Sequence, residues 1–391
     1  MEWMMRYKIM MTGVILCIAM IGCENPKYDL RSELAHIDSL TVHYSALNME
    51  PESLKTIRKE KASEVVIDLD PAMVDSGNRI PAAKLYLYAG LMDSAVTVLE
   101  AYKENCPDSA QLLLLFEAYY KTNRISDAER LYRQYLQNLN VSRGRIFRAL
   151  FNGYRRISDY ERALALAQEA RSILPFRQLL PISLEEAELY YMLGRQKYAF
   201  NILSELSRHA GSVGERARIT ARRNLFNIMG KPAPPLQIQD WLSEDRVLLD
   251  DCKGSVVLLE FWAPHCTPCK QMFPLLSDLQ ARYSEKDLKV LAITRLYGYF
   301  HQPGIRESNL TPEEELNYIE KFKTQYKLSY PLGVAASIEG QINSLRYGVS
   351  VLPHTIIIDR SGIVRTYIIG ADQEARQKLQ NHIAELLAEP Y

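Results

Sequence analysis

Ser255 to Lys270 read SVVLLEFWAPHCTPCK. Through Ala263 this is an apolar run, interrupted only by Glu260, of the kind shown by a strand buried on both faces. It leads into Cys266 and Cys269, and Cys269 to about Ser284 follows as an amphipathic helix. Two cysteines at this spacing serve as a redox couple, as half of a metal site, or as two buried thiols.

The same alternation of strand and helix continues downstream. LKVLAIT is a second strand, and Thr311 to Tyr326 is a helix opened by a Thr311 N-cap, Pro312 in the first turn and then acidic residues. HTIIIDRSGIVRTYII is a hairpin turning on DRSG, before a last helix from about Asp372. Upstream, GKPAPPLQIQDW (Gly230 to Trp241) is too proline-rich to be helical throughout and marks the start of this domain, a mixed sheet covered by helices.

The 391 residues suggest about two or three domains. Between about Pro81 and Gly211 the sequence repeats loosely, each unit placing aromatics on one helix, then a polar turn, then an alanine opening the next helix. The alanines fall at 95, 128, 163 and 199. That spacing resembles tetratricopeptide repeats, whose period is about 34, and implies an all-helical array able to offer a groove to a peptide or protein partner. An irregular helical bundle is the alternative. Residues 23–80 before it are charged and helical, with Val65, Val66 and Ile67 unassigned.

Arg6 and Lys8 precede the apolar run IMMTGVILCIAMIG, which ends at Cys23 and is shorter than the roughly 20 residues of a membrane-spanning helix. It reads as an export signal over 1–22. Met20-Ile21-Gly22-Cys23 resembles the lipobox of bacterial lipoproteins, which implies a lipid on Cys23 and a chain held at the cell envelope facing the periplasm. Lys plus Arg equals Asp plus Glu at 47 each, so no nucleic-acid partner is expected. Outside the signal and anchor only Cys106, Cys252, Cys266 and Cys269 remain, too few for a disulfide scaffold. Cys106 and Cys252 are expected to be plain buried or edge thiols.

A strand running into Cys-x-x-Cys at a helix start resembles the thioredoxin fold, and further residues extend the likeness. Pro274 stands where that family carries a kinking proline in the helix, Glu260 where it keeps a buried acid on the strand, and Pro353, in SVLPHT, where it keeps a cis-proline facing the disulfide. More specifically, residues 229–391 resemble the TlpA/ResA-like disulfide reductases of the redoxin superfamily. GKPAPPLQIQD, KGSVVLLEFWAPHCTPC and LKVLAIT follow in that branch's order. The expected architecture is therefore a helical repeat domain over 81–222 followed by an α/β thioredoxin-fold domain over 223–391.

The resemblance implies that Cys266 is the nucleophile, its thiolate stabilised at the helix N-terminus, and that Cys269 resolves the mixed disulfide. Glu260 would accept the Cys269 proton, and Pro353 would shape the substrate side. Trp262 is expected to wall the site, and Thr267 and Pro268 to set the helix start and help tune the potential. His265 and His354, the latter standing where threonine is usual, are expected at the rim. As imidazolium, either would lower the thiol pKa and make the couple more oxidising. The stretch Arg295 to Leu310 is longer than the fold requires and is expected to be a surface loop packing its own tyrosines.

No cofactor beyond a redox-active Cys266–Cys269 disulfide is implied, and no metal, since zinc would need two further ligands that the sequence does not offer. The implied partners are protein disulfides and a membrane thiol carrier that donates electrons. Two other functions compete. One is a thiol peroxidase, whose pattern puts threonine three residues before the reactive cysteine, whereas Thr267 lies between the two. The other is a non-catalytic binding module built on the repeats.

Overall fold

The computed structural model describes residues 29–46, 51–101, 109–135, 143–243, 246–283 and 287–389. The export signal, Cys23 and Cys106 lie outside the described residues. The chain forms two compact units that divide between 142 and 143.

The first unit is helical: α1 (Leu30–Ala46), α2 (Pro51–Val66), a 3-10 turn at Pro71–Met73, α3 (Arg79–Ala89), α4 (Met92–Glu100), α5 (Ser109–Lys121) and α6 (Ile125–Gln134). Val66 closes α2 and is buried, whereas Ile67 projects into solvent. The second unit begins with α7 (Arg143–Arg156), α8 (Tyr160–Ile173), α9 (Phe176–Met192), α10 (Gln196–His209) and α11 (Val213–Ile228).

Within both units successive helices pair, and each pair is built alike. Ala95, Ala128, Ala163 and Ala199 sit on the second helix of their pairs with no exposed surface, because a methyl group lets the two backbones approach. Five residues before each alanine the chain turns through a left-handed residue: Gly90, Asn123, Ser158 and Gly194. The sequence period is thus a period in turn geometry as well as in packing.

After α11 comes a six-stranded sheet in the order β1-β6-β3-β2-β7-β8. Its strands are β1 (Asp240–Trp241), β2 (Val256–Phe261), β3 (Leu288–Arg295), β6 (Leu332–Ala335), β7 (His354–Ile358) and β8 (Val364–Ile369). β2 pairs in parallel with β3 and antiparallel with β7, and β3 pairs in parallel with β6. Four further helices complete the domain: α12 (Thr267–Arg282), α13 (Pro312–Gln325), α14 (Ser337–Arg346) and α15 (Gln373–Ala388). A parallel β2/β3 pair extended by an antiparallel β7/β8 hairpin and covered by helices is the thioredoxin fold.

All of β2 is buried, and its alternation sorts side chains between two cores. Val256 and Leu258 face a core shared with α12, α13 and α15, which contains Cys266 and Cys269. Val257, Leu259 and Phe261 face a second core containing Cys252, Tyr347 and Leu225 of α11. The helix that ends the repeats therefore helps to cover the sheet, and α7 to α11 fall within the same compact unit as the sheet. The proline-rich stretch at Gly230 to Trp241, where the sequence places the start of this domain, runs along that sheet: Gly230 and Ala233 donate backbone hydrogen bonds to Val364 and Gly362.

The stretch expected as a loop after β3 contains a two-stranded hairpin, β4 (Tyr299–Gln302) and β5 (Ile305–Ser308). Strands of four residues are too short to show a period in sequence. β6 and α14 likewise went without a distinct signal.

Candidate active site

Cys266 is the N-cap of α12, and its Sγ accepts a hydrogen bond from the Cys269 N–H at 3.2 Å. Thr267 and Pro268 form the exposed first turn, where proline loses no intrahelical hydrogen bond. The two cysteines are joined by a disulfide with Cα atoms 5.3 Å apart. Cys266 retains 9% of its surface and Cys269 none, so an incoming sulfur can reach only the first.

Glu260 has the parity of Val256 and Leu258 on β2 and so faces the core that holds the cysteines. It is completely buried. Oε2 accepts a hydrogen bond from the Thr355 hydroxyl of the neighbouring strand, while Oε1 has no hydrogen-bond partner among the described residues. Burial pushes the carboxyl up to about 7, against the smaller opposing effect of Thr355. A carboxyl poised there holds and releases a proton near neutral pH. The Tyr330 hydroxyl, also buried without a hydrogen-bond partner among the described residues, feels the Glu260 charge. Thr355 and Tyr330 gave no sequence signal of their own. Thr355 could have been found by pairing HTIII against VLLEF.

Leu352–Pro353 is a cis peptide, and Pro353 is buried at the start of β7. The following residue, His354, pairs with Phe261, which sets the proline beside the end of the strand that leads to Cys266.

Three expectations need correction. Trp262 is 1% exposed: it stacks on Phe322 with centroids 5.1 Å apart and meets Phe273 edge-on, so it backs the site from the core instead of walling it. His354 is 1% exposed, not at the rim, and neither ring nitrogen has a hydrogen-bond partner among the described residues. Burial, with Arg222 nearby, pushes it down to about 3, so it is a neutral ring that cannot supply positive charge to the thiol. His265 is exposed beside Cys266 as expected, but partial burial and then His301 and Arg295 hold its pKa below the usual range. Its ring lies edge-on to Tyr297 at 4.9 Å.

Cys252 lies buried in the opposite core, its thiol directed to the Leu248 carbonyl at 3.4 Å, and burial raises its pKa. It is a plain thiol, as the sequence suggested. Sequence reasoning also missed a polar cluster behind β7. Arg222 of α11 donates to Glu188 of α9 and, at 3.2 Å, to the Tyr367 hydroxyl of β8.

A Cys-x-x-Cys disulfide at a helix start, one sulfur accessible and one sealed, with a buried carboxyl facing the same core on a thioredoxin fold, defines a thiol-disulfide oxidoreductase. Comparison with known proteins agrees. Residues 229–367 match the AhpC/TSA family. The thioredoxin-like protein YneN of Bacillus subtilis (strain 168) is 31% identical over 153 residues, which cover 38% of this chain and 78% of that protein. The thiol-disulfide oxidoreductase ResA of Bacillus thuringiensis (strain Al Hakam) is 28% identical over 158 residues, 40% of this chain and 78% of that protein. A solved thiol-disulfide isomerase from Corynebacterium glutamicum overlaps 41% of this chain and 98% of its own at 21% identity, with a TM-score of 0.34. The chain belongs to the thioredoxin-like proteins, and its domain over 229–367, which matches the AhpC/TSA family, is of the thiol-disulfide oxidoreductase class.

Proposed function

We propose that the protein is a lipid-anchored disulfide reductase of the bacterial cell envelope, facing the periplasm and acting on protein disulfides through a redox-active Cys266–Cys269 pair. The observation that carries this reading is the asymmetry of the two sulfurs, one accessible and one sealed, on the core side that the buried Glu260 faces. In the reduced enzyme the Cys266 thiolate attacks a substrate disulfide, forming a mixed disulfide and expelling one substrate thiolate, which takes up a proton from water. Cys269 then gives its proton to the Glu260 carboxylate and attacks Cys266 Sγ, expelling the second substrate thiolate. The substrate gains two electrons and the Cys266–Cys269 disulfide forms. A donor dithiol, which the resemblance assigns to a membrane thiol carrier, reverses the exchange and restores the reduced enzyme.

The lipobox-like sequence ending at Cys23 supports the anchor, and among the described residues no helix is long and apolar enough to cross a membrane. The paired helices, repeating at the period of tetratricopeptide arrays, support a role in holding the client. The test is the reduction potential of the pair, measured by alkylation across thiol buffers. A value near or below about −270 mV supports a reductase, and one near about −120 mV replaces it with an oxidant. Absence of any two-electron couple leaves only a binding role.

A further inference from the structure

The β4/β5 hairpin is fixed in place from behind. Phe300 is buried and stacks on Tyr318 at 5.1 Å, and Glu315 accepts the backbone N–H groups of Tyr297 at 2.9 Å and Gly298 at 2.7 Å. Strand alternation then turns Tyr299 and His301 to the opposite, partly exposed face, with ring centroids 4.6 Å apart. His265, immediately before Cys266, meets this face at both Tyr297 (4.9 Å) and Tyr299 (5.4 Å). A row of four rings therefore runs outward from the residue next to the accessible sulfur. Three of the four are only partly buried, His265 is exposed, and the row sits on a rigid base.

We infer that this ring row is the specificity surface of the exchange reaction, taking an aromatic side chain that flanks the substrate cysteine. The inference rests on the reading of Cys266 as the attacking thiol. Aromatic side chains bring the largest apolar area and add favourable edge-to-face contacts with rings already arranged at tilted angles. Partial burial lowers the His265 pKa, which favours the neutral ring, and that ring meets Tyr297 and Tyr299 by its faces and edges. The row lies within reach because a residue next to the attacked cysteine is displaced by only one step of an extended chain, roughly 3.3 Å.

The test uses two peptides of one sequence, each containing a disulfide, with tryptophan or glycine next to the attacked cysteine. The full protein reduces them with dithiothreitol as electron source. The wild type should prefer the tryptophan peptide by about 5- to 10-fold in kcat/KM, the size of an aromatic contact. Tyr299→Ser should bring the ratio below about 2, and Tyr299→Phe should restore it. Equal rates on the two peptides in the wild type, or a ratio that survives in Tyr299→Ser, overturns the inference and leaves the reductase reading standing. Failure to reduce either peptide overturns both. Should Tyr299→Ser fail to fold, His301→Ser serves in its place, with the same ratio deciding.

Discussion

Glu260 places a carboxyl where water cannot solvate its charge, and two predictions follow from its position and that of the two sulfurs. Its pKa in the fold, about 7, lies above the ordinary 4.5, so between those values the folded protein holds a proton that the unfolded chain has released. Stability contributed by this group is therefore present at low pH, is lost as pH rises toward 7, and stays lost above it. Glu260→Gln should be more stable than wild type at pH 8, by up to about 3 kcal/mol, with the advantage shrinking toward pH 4.5. Urea midpoints across pH check this, and the same variant should slow release of the mixed disulfide. A stability difference independent of pH would refute the titration of Glu260 in this range. The second prediction concerns the sulfurs. Cys269→Ser should accumulate a covalent complex with a protein substrate through Cys266, detectable as a mass shift reversed by reductant, whereas Cys266→Ser should form none, since Cys269 has no exposed surface.

At the scale of elements, the site was legible wherever its parts are local. The apolar run of β2, the cysteines at the start of α12 and the Thr311 cap of α13 each carry their instruction within a few residues, and the capping box that the structure adds, Thr311 with Glu314, fits the same signal. Contacts between distant segments were not legible. Thr355 meets Glu260 across 95 residues, and nothing in HTIII alone says that its threonine caps a buried acid. As a polar residue, His354 is expected at the rim. The sheet buries it because β7 is central and every residue of the strand is covered. The hairpin escaped because its anchor, Glu315, sits inside a helix whose other first-turn acids look equivalent to it. Only Glu315 is buried, and burial raises its pKa while the two N–H donors lower it. Glu315→Ala should leave the Tyr297 and Gly298 amides without their acceptor, costing about 1–3 kcal/mol and speeding hydrogen exchange at these amides by more than at the β2 amides. Unchanged exchange at residues 297–302 would show that the hairpin is held by Phe300 alone.

At the scale of the second unit, α11 belongs to two structures at once. Phe226 packs with the α9/α10 core, while Leu225, its neighbour, packs under the sheet. Arg222 on the same helix bonds Glu188 and Tyr367 where the repeats meet β8, with only 14% and 19% of the Arg222 and Glu188 side chains exposed. Arg222→Met should destabilise the protein by about 2–4 kcal/mol by leaving the Glu188 charge without its main partner, and adding Glu188→Leu should recover part of that loss. Denaturation of the single and double variants checks it, and additive losses would mean the two groups are not coupled. The same sheet that α11 covers also keeps sulfurs apart. Cys252 lies under one face and the Cys266–Cys269 pair under the other, with β2 and its neighbours between them. A client tethered to Cys266 therefore finds, among the described residues, a single internal exit through Cys269. Among the described residues the sheet thus keeps Cys252 out of the exchange, and a client disulfide held at Cys266 is not shuffled through that thiol.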